Sequence, residues 1–265
     1  MIEKLLFATL GFVTYPTLYK TIRYSLPASV VSDYSKNEIS GRSVSAIQAL
    51  TAVLVGVITM MNTGDDIVYS RFIPLDYYVC FWIPYFYYDT WADYKVYVSK
   101  RANEMADKDF LSRVKLFVKY QPLMVLHHFF LPMVYGPALL HFRHGKGDYI
   151  IGCAITMQAT IPFISLRHIL LQVEMRHTTL YIVNGLLLAV SFSIARIYIW
   201  FHLVHTYAVY RGLPFISGFL ALPTICSCCT IGFFILNSIW FVKILLLVKR
   251  SSKEILNLLK WSKSS

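Results

Sequence analysis

The sequence predicts an all-α membrane protein, a bundle of about seven transmembrane helices. Its mean hydropathy is +0.54, and 15% of its residues are charged, whereas a soluble domain carries about a quarter. The apolar residues also lie in long blocks, each near the ~20 residues that a helix needs to cross a bilayer. A length of 265 residues favours one compact bundle.

Apolar blocks can be followed in order along the chain. They cover residues 3–22, 43–62, 77–97, 122–140, 148–171, 179–203 and 215–247. The first block has one basic residue near its start, Lys4, and lacks a small-x-small cleavage site before the next polar stretch, which indicates an uncleaved first span rather than a signal peptide. The last block is long enough to tilt or to continue as an amphipathic helix.

Basic residues are distributed unevenly among the loops between these blocks. One predicted side of the membrane carries 18 lysines and arginines and the other carries 5. By the positive-inside rule, this asymmetry predicts a lumenal N-terminus and a cytosolic C-terminus. The net charge of +11 therefore indicates topology and contact with anionic lipid headgroups, and nucleic-acid binding is not expected.

The same pattern predicts the organisation of the chain. Residues 1–39 form a first transmembrane helix and loop, residues 40–248 form a domain of six transmembrane helices, and residues 249–265 form a basic cytosolic tail. The five cysteines lie in apolar stretches without neighbouring histidines or carboxylates that would complete a metal site. No metal site and no disulfide are expected.

Polar side chains inside the spans predict a site in the bundle interior, because ionisable groups are costly in hydrocarbon. Asp89 and Asp93 are four residues apart and share one face of a helix. His127 and His128 are adjacent, so they point about 100° apart and one of them at most faces the bundle axis directly. The other polar candidates for lining a lipid cavity are Gln48, Gln158, Asn184 and Arg196. The alternative is that these groups hydrogen-bond between helices without forming a site.

Six segments of the chain carry a resemblance. They are RSVSAIQALTAVLVGVI, GDDIVYSRF, YYVCFWIPYFYYDTWADY, LHHFF, GDYIIGCAITMQATIPFISLRHILLQ and LYIVNGLLLAVSFSIARI. Their order and spacing, over residues 40 to 245, resemble the TLC-domain family of translocating-chain-associated proteins, ceramide synthases and a neuronal ceroid lipofuscinosis protein of the endoplasmic reticulum. The resemblance is closest to the subgroup of TLC-domain-containing proteins numbered 3, which is linked to ceramide metabolism.

The resemblance implies roles for particular residues. In ceramide synthases, a paired HH and a downstream H-D-x-x-D serve acyl transfer from acyl-CoA to a sphingoid base. The HH corresponds to His127 and His128, and Asp89 is the remaining carboxylate that would orient an imidazole. The H-D-x-x-D half does not match, because Gln158 lies nearest its first position and no carboxylate follows.

Two functions in sphingolipid or ceramide homeostasis are compatible with this pattern. The first is a ceramide-synthase-like N-acyltransferase, in which His127 or His128 is the base or acyl-accepting nucleophile and acyl-CoA is the co-substrate. The second is a non-catalytic lipid-binding, transfer or regulatory protein that uses the same cavity. Both imply membrane lipids as partners, namely ceramide or a sphingoid base and a fatty acyl chain, and no bound cofactor. Self-association is left open, and the family location is the endoplasmic reticulum, with Golgi and plasma membrane as alternatives.

Overall fold

The structure, a computed structural model, describes residues 2–27, 32–222 and 224–262, with side chains for all of these except residues 225, 229 and 250–262. The described residues form helices and no strand. The helices are, in chain order, α1 (Ile2–Ser25), α2 (Asp33–Thr63), α3 (Pro74–Lys100), α4 (Ala102–Met105), α5 (Phe110–Tyr120), α6 (Pro122–Phe142), α7 (Asp148–Gln172), α8 (Thr179–Tyr210), α9 (Phe215–Leu220) and α10 (Thr224–Ser262). Of the predicted basic tail, the side chains beyond Lys249 and all of residues 263–265 lie outside the described residues.

The predicted class, an all-α membrane protein, is confirmed. Five helices among the described residues are long and apolar enough to cross a membrane, namely Asp33–Thr63, Pro122–Phe142, Asp148–Gln172, Thr179–Tyr210 and Cys226–Lys249. The helices α1 and α3, which cover the first and third predicted spans, are not in this set. The chain is therefore an integral membrane protein with at least these five candidate spans.

Three of the long helices are interrupted. In α6, π-helical turns at Leu131–Tyr135 and Ala138–Phe142 follow the α-helical segment Pro122–Phe130. A 3-10 turn at Met157–Thr160 divides α7, and a π-helical segment at Ser193–Tyr198 divides α8. In α6 the sequence explains the change, because Pro132 and Pro137 lack the N–H that an α-helical hydrogen bond requires.

The last predicted span was wrong in one respect. The sequence predicted one continuous block over residues 215–247, whereas the short helix α9 ends at Leu220 and α10 begins at Thr224. Pro223 stands between them in the sequence. A proline disfavours the α conformation in the residue before it, so helices usually end ahead of it.

The chain divides into two compact units. The first comprises Met1–Gln48 and Arg71–Lys146, and the second comprises Ala49–Ser70 and Gly147–Ser265. The core of the first unit is aromatic, because tyrosines of α1 and α3 pack ring against ring. One cluster of this core consists of the buried residues Tyr15 and Tyr19 of α1, Val44 of α2, and Tyr85, Tyr88 and Ala92 of α3.

A single buried carboxylate joins three segments of the first unit. Asp76, at the start of α3, accepts hydrogen bonds from Lys4 of α1 at 2.8 Å and from Arg71, just before α3, at 2.6 Å. Arg143, just after α6, donates to its other carboxylate oxygen at 2.7 Å. The side chain of Asp76 is 5% exposed. This ion cluster therefore fixes one end of α3 against the start of α1 and the end of α6.

In the second unit, α2 and α7 approach each other through glycine. A Cβ atom at Gly56 would lie 2.7 Å from the carbonyl oxygen of Gly152 and 2.7 Å from Cγ2 of Thr156, closer than real Cβ atoms come. Small residues allow such close backbone contact between membrane helices. The glycine at position 56 is therefore required by packing.

Gly56→Ala is expected to lower the free energy of unfolding by about 1–3 kcal/mol, because the added methyl group forces the two helices apart. The midpoint of thermal unfolding in nanodiscs measures this loss. Gly232→Ala in α10 is the matched control, since a Cβ there meets no atom within 4 Å. That change is expected to be neutral or to stabilise by up to about 1 kcal/mol. Equal midpoints for both variants would contradict the packing argument.

Candidate functional site

The two histidines of the HH pair differ in their surroundings. The helix α6 begins at Pro122, a residue suited to the first helical position. His128 lies six residues further on, about 9 Å along the helix axis. It is 8% exposed, whereas His127 is exposed at the surface. The histidine that faces the interior of the first unit is therefore His128.

The contacts of His128 define the roles of its two ring nitrogens. Its Nδ1 lies 3.6 Å from Oδ2 of Asp89 and 3.4 Å from Oγ1 of Thr90. The Thr90 hydroxyl donates its own proton to the carbonyl oxygen of Phe86 at 2.9 Å, so its oxygen can accept from Nδ1–H. These contacts favour the neutral tautomer with its proton on Nδ1, in which Nε2 is the basic nitrogen. Among the described residues none hydrogen-bonds Nε2.

The two aspartates of α3 have different partners. Asp89 accepts a hydrogen bond from the hydroxyl of Ser45 on α2 at 3.0 Å. Asp93, one turn further along, lies 3.4 Å from a guanidinium nitrogen of Arg42, whose Nε donates to Glu38 at 3.0 Å. Asp89, Asp93 and Glu38 are all buried. The polar faces of α2 and α3 therefore meet beside His128.

This cluster contains more acidic than basic groups. Three buried carboxylates (Glu38, Asp89 and Asp93) face one arginine, Arg42, and one histidine, His128. Buried negative charge is costly unless it is compensated. The cluster is therefore suited to stabilise an imidazolium at His128 or to accept a cationic group such as an ammonium ion. Within the described part of the chain, no group of three or more His, Cys, Asp or Glu residues is arranged to hold a metal ion.

Two residues of this cluster were missed by sequence reasoning. They are Glu38 and Arg42, neither of which is among the candidate site residues that the sequence predicts. A signal did exist, because Glu38, Arg42 and Ser45 are spaced four and three residues apart and so share one helix face.

The other candidate residues lie elsewhere in the chain. Gln48 is buried on α2 in the first unit and donates to the hydroxyl of Tyr78 at 3.4 Å. Gln158, Asn184 and Arg196 belong to the second unit. There Gln158 is half-buried on the 3-10 turn of α7, and buried Asn184 donates to the carbonyl oxygen of Phe163 at 2.9 Å. The structure thus brings His128 together with Asp89 and Asp93.

Fold and site together define an all-helical membrane protein with a buried histidine–carboxylate cluster. The family model for the TLC domain matches residues 38–246, which is most of the chain. The chain therefore belongs to the TLC-domain family, as the sequence resemblance predicted. The match begins at Glu38 and includes every residue of the cluster described above. No solved structure matches the chain.

Proposed function

We propose that this protein acts in sphingolipid and ceramide homeostasis as a ceramide-synthase-like N-acyltransferase that moves a fatty acyl group from acyl-CoA to a sphingoid base. The observation that carries the proposal is the surroundings of His128. Its ring is buried, its Nδ1 faces Asp89 at 3.6 Å and Thr90 at 3.4 Å, and its Nε2 is the basic nitrogen. That arrangement suits a general base, in which a carboxylate orients the imidazole and stabilises the imidazolium.

The proposed reaction uses His128 twice. Its Nε2 takes a proton from the ammonium group of the sphingoid base, and the free amine attacks the thioester carbonyl of acyl-CoA. The C–N bond forms, the C–S bond breaks, the imidazolium returns the proton to the leaving thiolate, and the second proton of the acylated nitrogen leaves to water, so that a neutral amide and a thiol result. An alternative order has Nε2 attack the thioester first and pass the acyl group to the amine. Positioned proton transfer of this kind contributes about 10²–10⁴-fold to a rate.

The acidic residues around His128 supply the affinity for the amine. Glu38 and Asp93 both lie beside Arg42, and Asp89 lies beside His128. A sphingoid base enters the membrane as a cation, and a buried anionic cluster attracts a cation strongly because the local dielectric is low. The same attraction weakens once the nitrogen becomes a neutral amide, which favours release of the product.

The proposed orientation places this site near the cytosol, where acyl-CoA is found. We propose seven spans with the N-terminus in the lumen of the endoplasmic reticulum and the C-terminus in the cytosol. The support is the distribution of basic residues, 18 on one predicted side and 5 on the other. In this orientation α6 enters the membrane from the cytosol, and the exposed lysines of residues 95–121 are available to the phosphates of acyl-CoA.

The orientation predicts the fate of an attached glycosylation site. An acceptor tag fused after Ser265 is expected to stay unmodified in cells, because glycosylation occurs only in the lumen. The same tag fused before Met1 serves as the control and is expected to be modified. Efficient modification at the C-terminus would refute the proposed topology.

A second function is favoured by one specific observation. The segment at the place of the H-D-x-x-D motif is a 3-10 turn, Met157–Thr160, that carries Gln158 and no carboxylate. An amide can hydrogen-bond a lipid headgroup, but unlike a carboxylate it has no negative charge to stabilise an imidazolium. This favours a lipid-binding, transfer or regulatory role in which the cluster at His128 holds a sphingoid base or ceramide without turnover.

One experiment separates the two functions. Purified full-length protein in nanodiscs is incubated with labelled acyl-CoA and a sphingoid base, and the N-acylated product is measured beside saturable binding of each lipid. Product above the level of empty nanodiscs supports the acyltransferase. Tight binding of the sphingoid base without product would overturn it in favour of the binding protein.

A further inference from the structure

Arg196 is an arginine in the middle of a helix that is apolar enough to cross a membrane. It lies near the centre of α8, Thr179–Tyr210. No carboxylate of the described chain pairs with it; its contacts are two hydrogen bonds and the ring of Phe192 at 5.7 Å. An arginine stays protonated in proteins. Ionisable residues at membrane depth are costly and rare, which makes Arg196 a candidate for a functional site.

The guanidinium group is held along one side. Its Nε donates to the carbonyl oxygen of Met157 at 3.2 Å and to the hydroxyl of Thr160 at 3.2 Å. Its two terminal nitrogens make no hydrogen bond to any described residue. The guanidinium group is planar and its Nε side is fixed. The N–H groups of its two terminal nitrogens therefore keep a fixed geometry in which they can donate to two oxygens of one carboxylate or phosphate.

The backbone around Arg196 is irregular in both contributing helices. Arg196 lies in the π-helical segment Ser193–Tyr198, and its two hydrogen-bond partners lie in the 3-10 turn Met157–Thr160. The residues of these two segments adjoin each other within the second unit. π-helical turns inside α-helices occur frequently at functional sites.

We propose that Arg196 binds the anionic headgroup of an amphiphile dissolved in the membrane. The shared chemistry is an oxyanion, either the carboxylate of a fatty acid or the phosphate of a lipid, accepted by the two terminal nitrogens of the guanidinium group. The ring of Phe192 forms an apolar wall beside the headgroup. This site lies entirely in the second unit and does not depend on acyl transfer at His128.

The probe that tests the site is octadecanoic acid bearing a diazirine, added to the full-length protein in nanodiscs of phosphatidylcholine. After irradiation, mass spectrometry quantifies the label on peptides that contain residues 157–160 or 192–200. We expect saturable labelling there by the acid and none by octadecanol with the same diazirine. Two unlabelled competitors, monoacylglycerol phosphate and octadecanoate, distinguish the sources of the oxyanion. If the phosphate displaces the label at a lower concentration than octadecanoate does, the site prefers a lipid phosphate. If octadecanoate displaces it at the lower concentration, the site prefers a fatty-acid carboxylate.

Arg196→Gln is expected to weaken labelling by the acid about 10-fold to 100-fold, the usual worth of hydrogen bonds to a charged group. Glutamine keeps one donor for the carbonyl oxygen of Met157. Arg167→Gln is the matched control, because Arg167 is a buried arginine of the same unit that stacks on Tyr181 at 4.2 Å. It should keep the labelling.

Labelling by octadecanol equal to that by the acid would overturn the proposal, as would labelling unchanged by Arg196→Gln. If Arg196→Gln does not fold, the proposal is still tested by comparing the labelling of the wild-type protein by octadecanoic acid with its labelling by octadecanol.

Discussion

Replacing His128 with alanine is expected to abolish acyl transfer, whereas replacing His127 is expected to leave most of it. The physical reason is that His128 alone of the pair is buried beside Asp89, at 3.6 Å, while His127 is exposed. Loss of the base removes both proton transfers, so the rate of N-acylated product formation should fall by at least about 10²-fold to 10⁴-fold. The measurement is the rate of product formation in nanodiscs at saturating acyl-CoA.

His127→Ala is the matched control for this experiment, because it removes the same ring from the next position of the same helix. Both variants should unfold at midpoints close to that of the wild type and should still bind the sphingoid base. Equal loss of activity in both variants would contradict the assignment of the base to His128. Full activity of His128→Ala would show that His128 is not the general base.

Asp89→Asn tests whether Asp89 only positions the imidazole of His128 or also stabilises its positive charge. An asparagine can hold Nδ1 of His128 through its amide oxygen, but it does not stabilise an imidazolium electrostatically. A pure positioning role would therefore leave Asp89→Asn more active than Asp89→Ala, whereas a charge-stabilising role would make both equally slow.

Replacing Asp76 with asparagine is expected to lower the free energy of unfolding by about 3 kcal/mol, the lower end of the cost of breaking a buried ion pair. Lys4, Arg71 and Arg143 would lose their common anion, and three like charges would remain close together. The cost stays at the lower end because the side chains of Lys4 and Arg71 are 35% and 33% exposed and keep part of their hydration. The midpoint of thermal unfolding in nanodiscs measures the loss.

Asp33→Asn is the control for the ion cluster at Asp76. Asp33 also pairs with an arginine, Arg23 at 3.0 Å, but its side chain is 81% exposed. Exposed pairs contribute about 0–1 kcal/mol, so little change is expected. A loss at Asp76 no larger than the loss at Asp33 would show that the three-cation cluster does not stabilise the first unit.

The parts of the fold that depend on local composition were predictable. Long apolar blocks required helices because a backbone in lipid must satisfy its own hydrogen bonds, and no described segment forms a strand. The break between α9 and α10 was signalled by Pro223 but was not used, because hydropathy alone continued through it. The seven-span path and its orientation stay predictions.

The site was predictable only in part, because hydropathy does not encode how each helix is rotated about its axis. The sequence alone established that one histidine of the pair at most could face inward directly, that Asp89 and Asp93 share a helix face, and that the family is that of the TLC domain. Only the tertiary structure decided that the inward histidine is His128 and that Arg42 meets Asp93, 51 residues away. It also decided that Lys4 and Arg143, 72 and 67 residues from Asp76, share that carboxylate. Such pairings depend on helices that pack from distant parts of the chain, and their charges attract only after packing has excluded water from between them.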